Sequence, residues 1–128
     1  MKLLMAAHNG KSKVIKLHSQ EAEDGFLRAA CQELGQLPIC QELSGILENA
    51  DILEFSILDA KEEGHYLNMP AYYMHKEIGL VDLIYGPVLL AKKVSRGEQE
   101  LILGLSDREL KIISRKMRVH PGNLRQRL

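Results

Sequence analysis

The stretch PICQELSGILENADILEFSIL, Pro38 to Leu58, decides the fold, because within it the apolar spacing changes from a helical period to an alternating one. A proline at position 38 suits the first turn of a helix, where its missing N–H costs nothing. Ile39, Leu43, Ile46, Leu47 and Ala50 then share one helical face, and Asn49 and Asp51 end it. From Ile52 the period shortens to two. Leu53, Phe55 and Ile57 alternate with Glu54 and Ser56, which predicts a strand over Ile52–Leu58.

Upstream, Gly35 closes an earlier helix at a natural C-terminal position. Its buried stripe is Phe26, Leu27, Ala30, Cys31 and Leu34. It opens at Ser19 or Gln20, with Glu21, Glu23 and Asp24 near its positive end. Two short strands precede it, Lys2–Ala7 and Lys13–His18, joined by the turn His8-Asn9-Gly10-Lys11. Downstream, Asp59 to Gly64 is a charged turn, and Tyr66 and Leu67 resume a strand that Asn68-Met69-Pro70 breaks. Ala71 to Ile78 reads as either a helical turn or a loop. Val81–Tyr85 and Val88–Val94 are strands parted by Gly86-Pro87, and Ser95 to Gln99, with Gly97, turns into a last strand, Leu101–Leu105.

Helices and antiparallel strands in separate blocks predict an α+β fold. The expected architecture is a small mixed or mainly antiparallel sheet with two N-terminal helices and a C-terminal helical segment. A chain of 128 residues suits one compact domain. Its expected parts are an α+β body over 1–105 and a basic helical segment over 106–128 packed on that body.

The C-terminal segment has the clearest helix start. Ser106 and Glu109 spell the S-x-x-E of a capping box, and Leu105 and Leu110 flank it as a hydrophobic staple. Leu110, Ile113 and Met117 recur at helical spacing, so a helix from about Asp107 to Met117 is predicted. Pro121 then suits the first turn of another helix, with His120 as a poor cap and Leu124 and Leu128 on one side. The chain is neutral overall, but from Ser106 to Leu128 seven Lys/Arg face two Asp/Glu, leaving this segment at +5 and the remainder at −5. That asymmetry points to a nucleic acid or another acidic partner, although helix C-termini also favour positive charge.

The run ISRKMRVHPGNLRQRL resembles the second half of a helix-turn-helix, particularly of the Fis-like kind. Ser114 takes the small position of the first helix, Val119 the apolar turn position, and Leu124 and Leu128 the buried positions of the second helix. Arg118 stands where that family usually has a left-handed glycine. The resemblance implies double-stranded DNA as a partner, with Lys111, Arg115, Lys116 and Arg118 toward phosphates and Asn123, Arg125 and Gln126 toward base edges or nearby backbone. His120 and Arg127 complete the expected DNA-facing set, and a homodimer on an inverted repeat is the expected working form. The middle of the chain, EEGHYLNMPAYYMHKEIGLVDLIYGPVLLA, is similar to an uncharacterised family from phages and mobile elements of Gram-positive bacteria. Met69-Pro70, Asp82-Leu83-Ile84-Tyr85-Gly86 and Ser106-Asp107-Arg108-Glu109 carry that similarity, while Tyr72 replaces the family's usual arginine. It implies a mobile-element setting and no activity.

No catalytic or metal-binding pattern stands out. His65, His75, Asp59, Glu62, Glu63 and Asp82 are acid/base candidates, but none falls into H-E-x-x-H or ligand pairs at helical spacing. No G-x-S-x-G elbow or glycine-rich phosphate loop occurs. The expectation is therefore a non-enzyme with no metal or cofactor. Cys31 and Cys40 fit no metal spacing and fall on apolar faces of predicted helices, which suggests buried, slowly reacting thiols. MKLLMAA at the N-terminus is too short for a signal-peptide core or a membrane span, so a soluble, cytoplasmic protein without membrane contact is expected.

Tyr66, Tyr72 and Tyr73, with Met69 and Met74, gather apolar, polar-tipped side chains on an expected loop, of the kind favoured at protein interfaces. Two functional readings follow. One is a small DNA-binding regulator using its basic C-terminal segment; the other is a protein-binding accessory or anti-defence factor.

Overall fold

The structure, a computed structural model, describes residues 2–17, 23–80 and 82–119. Its elements in chain order are β1 (Lys2–Ala6), β2 (Ser12–Lys16), α1 (Glu23–Leu34), β3 (Pro38–Leu43), β4 (Asp51–Ile57), α2 (Met69–Glu77), β5 (Val88–Arg96), β6 (Gln99–Leu103) and α3 (Asp107–Met117). Every strand pair is antiparallel. The strand order is β2-β1-β5-β4-β3, and β6 also pairs with β5. β5 is long enough to lie against β4 on one side and against β1 and then β6 on the other. The Leu105 N–H, which donates to the Lys2 carbonyl at 2.7 Å, ties the end of the β6 arm to β1.

The sheet is buried on both faces. Leu3, Phe55, Ile57, Leu89 and Ala91 pack against Phe26, Ala30 and Leu34 of α1. On the other face Leu4, Ile52, Val88 and Leu90 pack against Met74 of α2 and Leu110, Ile113 and Met117 of α3. Alternate residues of β5 therefore feed two cores, because successive side chains of a strand point to opposite faces.

The class is α+β, but the expected pair of N-terminal helices is corrected. The first helix follows two strands, and the stretch that began as a predicted second helix is β3. Pro38 to Leu43 pairs with β4 from Pro38↔Ile57 to Leu43↔Ile52. Leu43, Ile46 and Leu47 are buried as the helical reading requires, because an i, i+3, i+4 pattern also arises when a strand runs into a bent connection. A helix through Ser44 is blocked by Gly45, whose φ of +87° lies in the left-handed region. Pairing β3 with β4 also satisfies backbone groups that β4 would otherwise leave open beside a buried face.

Further expectations change. Residues 82–85 form no strand, and Tyr85 makes only an isolated bridge to Leu67. Two bonds tie the end of this stretch to the 66–68 segment instead: the Asn68 N–H donates to Ile84 O at 2.6 Å, and the N–H of the following Gly86 donates to Tyr66 O at 2.9 Å. Gly86 is required there, since its φ is +77° and a Cβ would come within 3.2 Å of the His65 ring. Of the ambiguous 71–78 region, 71–77 belong to α2 and Ile78 caps it. Leu27 is exposed, and the thiols are not both buried: Cys31 is half-buried on α1, and Cys40 is exposed on β3. The expected helix start at Ser19 or Gln20 lies outside the described residues.

Among those residues no helix is long and apolar enough to cross a membrane.

Candidate functional site

α3 forms as its sequence requires. The Glu109 N–H donates to Ser106 Oγ at 3.1 Å, and the Ser106 N–H donates to Glu109 Oε1 at 2.9 Å, completing the capping box. Leu105 and Leu110 are both buried in the same cluster, and Leu110, Ile113, Ser114 and Met117 form the inward face. On the outward face Arg108, Lys111, Arg115 and Arg118 are all exposed. Their spacing of three, four and three residues makes one stripe about 15 Å long at 1.5 Å per residue.

The acids of α3 are already engaged. Asp107 Oδ1 lies 2.9 Å from Lys2 Nζ, and that hydrogen bond and charge hold its carboxyl below the usual aspartate range. Partial burial pushes Glu109 up, but the Ser106 groups and Lys92, 2.9 Å away, outweigh it and leave the carboxyl lowered. Lys116 is spoken for by Glu77 of α2 at 2.8 Å. Among the described residues Arg108, Lys111 and Arg115 have no ion pair. The charge of Lys111 also helps hold the Asp107 carboxyl low, so the stripe is only weakly compensated.

α2 packs beside α3 and brings the two predicted surfaces together. The side chain of buried Asn68 caps α2 by accepting from the Ala71 N–H at 3.0 Å, and its Nδ2 donates to Ala6 O and Gly86 O at 3.0 and 2.8 Å. One residue thus fixes α2 to β1 and to the turn before β5. Tyr72 and Tyr73 are half-buried with ring centroids 6.0 Å apart, and the Arg118 guanidinium lies 4.4 Å from the Tyr73 ring centre. Met69 is half-buried. Met74 is fully buried and contributes packing, not surface.

The end of α3 is a tight turn. Arg118 has φ +55° and ψ +36°, and buried Val119 donates its N–H to Ser114 O at 3.0 Å. Ser114 is buried and its Oγ donates to Leu110 O at 2.6 Å. A buried small residue, a left-handed residue and a buried apolar one occupy the positions named from the helix-turn-helix resemblance. The same geometry is also a common way for any helix to end. His120, Asn123, Arg125, Gln126 and Arg127 lie outside the described residues.

The chain matches no protein-family model, no curated protein and no solved structure.

Beneath α2 lies a pair the sequence reading did not bring together. His75 Nε2 is 3.0 Å from both carboxylate oxygens of Glu54, at 0% and 1% side-chain exposure. Glu54, which alternates with the apolar Leu53, Phe55 and Ile57, points from β4 into the α2 side of the core. His75 Nδ1 has no hydrogen-bond partner among the described residues. The signal available in sequence was the run DILEFSI, whose apolar residues on both phases suit a strand covered on two faces. The remaining acid/base candidates do not converge. His65 and Glu63 form a loose surface pair at 3.9 Å, and no group of three His, Cys, Asp or Glu among the described residues is placed to hold a metal ion.

Proposed function

We propose that this chain is a small, non-enzymatic cytoplasmic regulator that binds duplex DNA with the outward face of α3 and the basic segment beyond it. The observation that carries the reading is the stripe of Arg108, Lys111, Arg115 and Arg118, exposed and in no ion pair among the described residues, while the neighbouring acids are paired mainly with Lys2 and Lys92. Such a stripe suits the phosphate backbone, which positions a protein on DNA without reading its sequence. Arg108 replaces Lys116 in the phosphate-facing set, because Lys116 is tied to Glu77. Base reading is assigned to Asn123, Arg125 and Gln126. A face this small works as a homodimer on an inverted repeat.

Fluorescence titration of the full chain against labelled random duplexes, repeated at several salt concentrations, tests the reading. Replacing Arg108, Lys111 and Arg115 together by alanine is expected to flatten the logarithmic salt dependence by about 0.9 per lost phosphate contact, close to three units in all. Arg125→Ala is expected to cost roughly 1–3 kcal/mol on a selected site and little elsewhere. No binding of wild type to duplex at low salt rejects DNA as the partner.

A further inference from the structure

The two ends of the sheet are not alike. β2, at one end, carries Lys13 and Lys16, and lysine on an edge strand is a common device for turning away another chain. β3, at the other end, has no lysine or arginine. Its single charged residue, Glu42, is held by Lys93 of β5. Pro38 stands at the first residue of the strand, where a proline leaves the rest of the pairing edge usable.

Apolar surface gathers at this edge. Leu37, Ile39, Leu58 and Leu83 are all exposed, Leu37 at 72% and Ile39 at 49%. The β3–β4 register, extended one residue past Pro38↔Ile57, sets Leu37 opposite Leu58. Beside them opens a groove of about 320 Å³, floored by Ile39, Gln41 and Ser56 and walled by Leu83, Asp82 and Asp59. Lys61 also lines it, with its ammonium 5.7 Å from the Tyr85 ring centre. The loop that bears Asp59 continues through exposed Glu62 and Glu63, so acids outnumber Lys61 around this end of the sheet.

We propose that the β3 edge is a docking site for an extended segment of a partner protein, one that alternates apolar residues along one side and carries lysine or arginine where it passes Asp59 and Asp82. The segment adds a strand to the sheet. Its backbone bonds to the open edge, and every second side chain enters the groove against Ile39 and Leu83. Its cations meet the acidic wall, which selects the partner by charge. A second copy paired through its own β3 is a poor occupant. Its β3 brings no cation and would set Glu42 and the acidic loops of both copies near one another. The site shares no residue with the α3 stripe and stands or falls apart from DNA binding.

Selection of random dodecapeptides displayed on phage, with the full wild-type chain and its Ile39→Lys variant as parallel baits, tests the proposal. Lysine is accommodated at the half-exposed position 39, and circular dichroism checks the fold. Wild type is expected to enrich peptides that alternate apolar residues and contain Lys or Arg. The best of these, synthesised and titrated by fluorescence anisotropy, is expected to bind Ile39→Lys about tenfold more weakly or worse, and likewise when alternate peptide amides are N-methylated. Asp82→Lys, on an exposed loop, gives a second variant with the same expected direction. Four outcomes overturn the proposal: no enrichment over the Ile39→Lys bait, enrichment of acidic peptides, binding indifferent to N-methylation, or self-association of wild type that Ile39→Lys abolishes.

Discussion

Glu54 and His75 show how much one pair of residues can demand of a core. Both are buried among aliphatic side chains, and each is the other's hydrogen-bond partner. Removing water from two polar groups is costly, and their mutual bonds return that cost only while both are present. His75→Leu is therefore expected to destabilise the protein by roughly 1–3 kcal/mol, since it leaves the buried Glu54 carboxyl without its hydrogen-bond partner. The double replacement Glu54→Leu/His75→Leu should recover most of that loss, so urea unfolding of the two singles and the double will be strongly non-additive. Additive losses would show that the pair is not a unit. Cys40 makes a second residue-scale case. Burial, then Glu42 and Glu54, raise its thiol above the ordinary range, while Lys93 opposes them. Being exposed, Cys40 should be alkylated before Cys31, with a rate that still climbs steeply above neutral pH. Mass-spectrometric kinetics of iodoacetamide labelling at several pH values will show which thiol leads.

At the scale of elements, α3 and β3 mark the two limits of what a single chain reveals. α3 was legible from Ser106 to Met117 because its instructions are local. The cap, the staple and the apolar stripe all lie within a dozen residues, and the structure keeps each of them. Ser106→Ala is expected to cost about 1 kcal/mol in urea unfolding, the usual loss for an N-cap. The acids of the first turn add a pH dependence. The carboxyls of Asp107 and Glu109 are lowered in the folded chain, so their stabilisation is present above the ordinary carboxylate range and is lost as pH falls through the lowered folded values. Between pH 7 and pH 3 the fall in urea midpoint should accordingly be smaller for Glu109→Gln than for wild type. β3 was illegible because its instructions are not local. Ile39, Leu43, Ile46 and Leu47 satisfy a helical period by coincidence, and only the β4 register and the left-handed Gly45 decide against it. The 82–85 segment failed for the same reason: its Ile84 carbonyl is answered by the Asn68 N–H, which no short window around it contains. Within the candidate site, Lys111, Arg115 and Arg118 were named from sequence, but Arg108, one turn earlier on the same face, was not. That Glu77 claims Lys116 could not be read there, because that contact depends on how α2 packs beside α3.

For the whole molecule, the decisive feature is that a single central strand serves two cores. Leu89 packs toward α1 and Leu90 toward α2 and α3, and both are fully buried. A body with separable layers would let one face loosen while the other held. Here the same β5 backbone carries both, flanked by β4 and by β1, a partner distant in sequence. Loss of either core face should therefore be felt as loss of the whole sheet. Leu89→Ala and Leu90→Ala are each expected to cost roughly 2–5 kcal/mol, the range for large-to-small changes in close-packed interiors. In each variant far-UV circular dichroism, near-UV tyrosine signals and the exchange of amides in α1 and α3 should report one shared transition. Separate transitions, with α1 released by Leu89→Ala while α3 stays protected, would show that the two faces fold as independent units. The α3 stripe inherits this cooperativity, since α3 is seated on the Leu90 side of the sheet. If the proposed DNA binding holds, Leu89→Ala, on the opposite side, should leave that binding unchanged while the chain is folded and abolish it at the same denaturant concentration at which the sheet is lost.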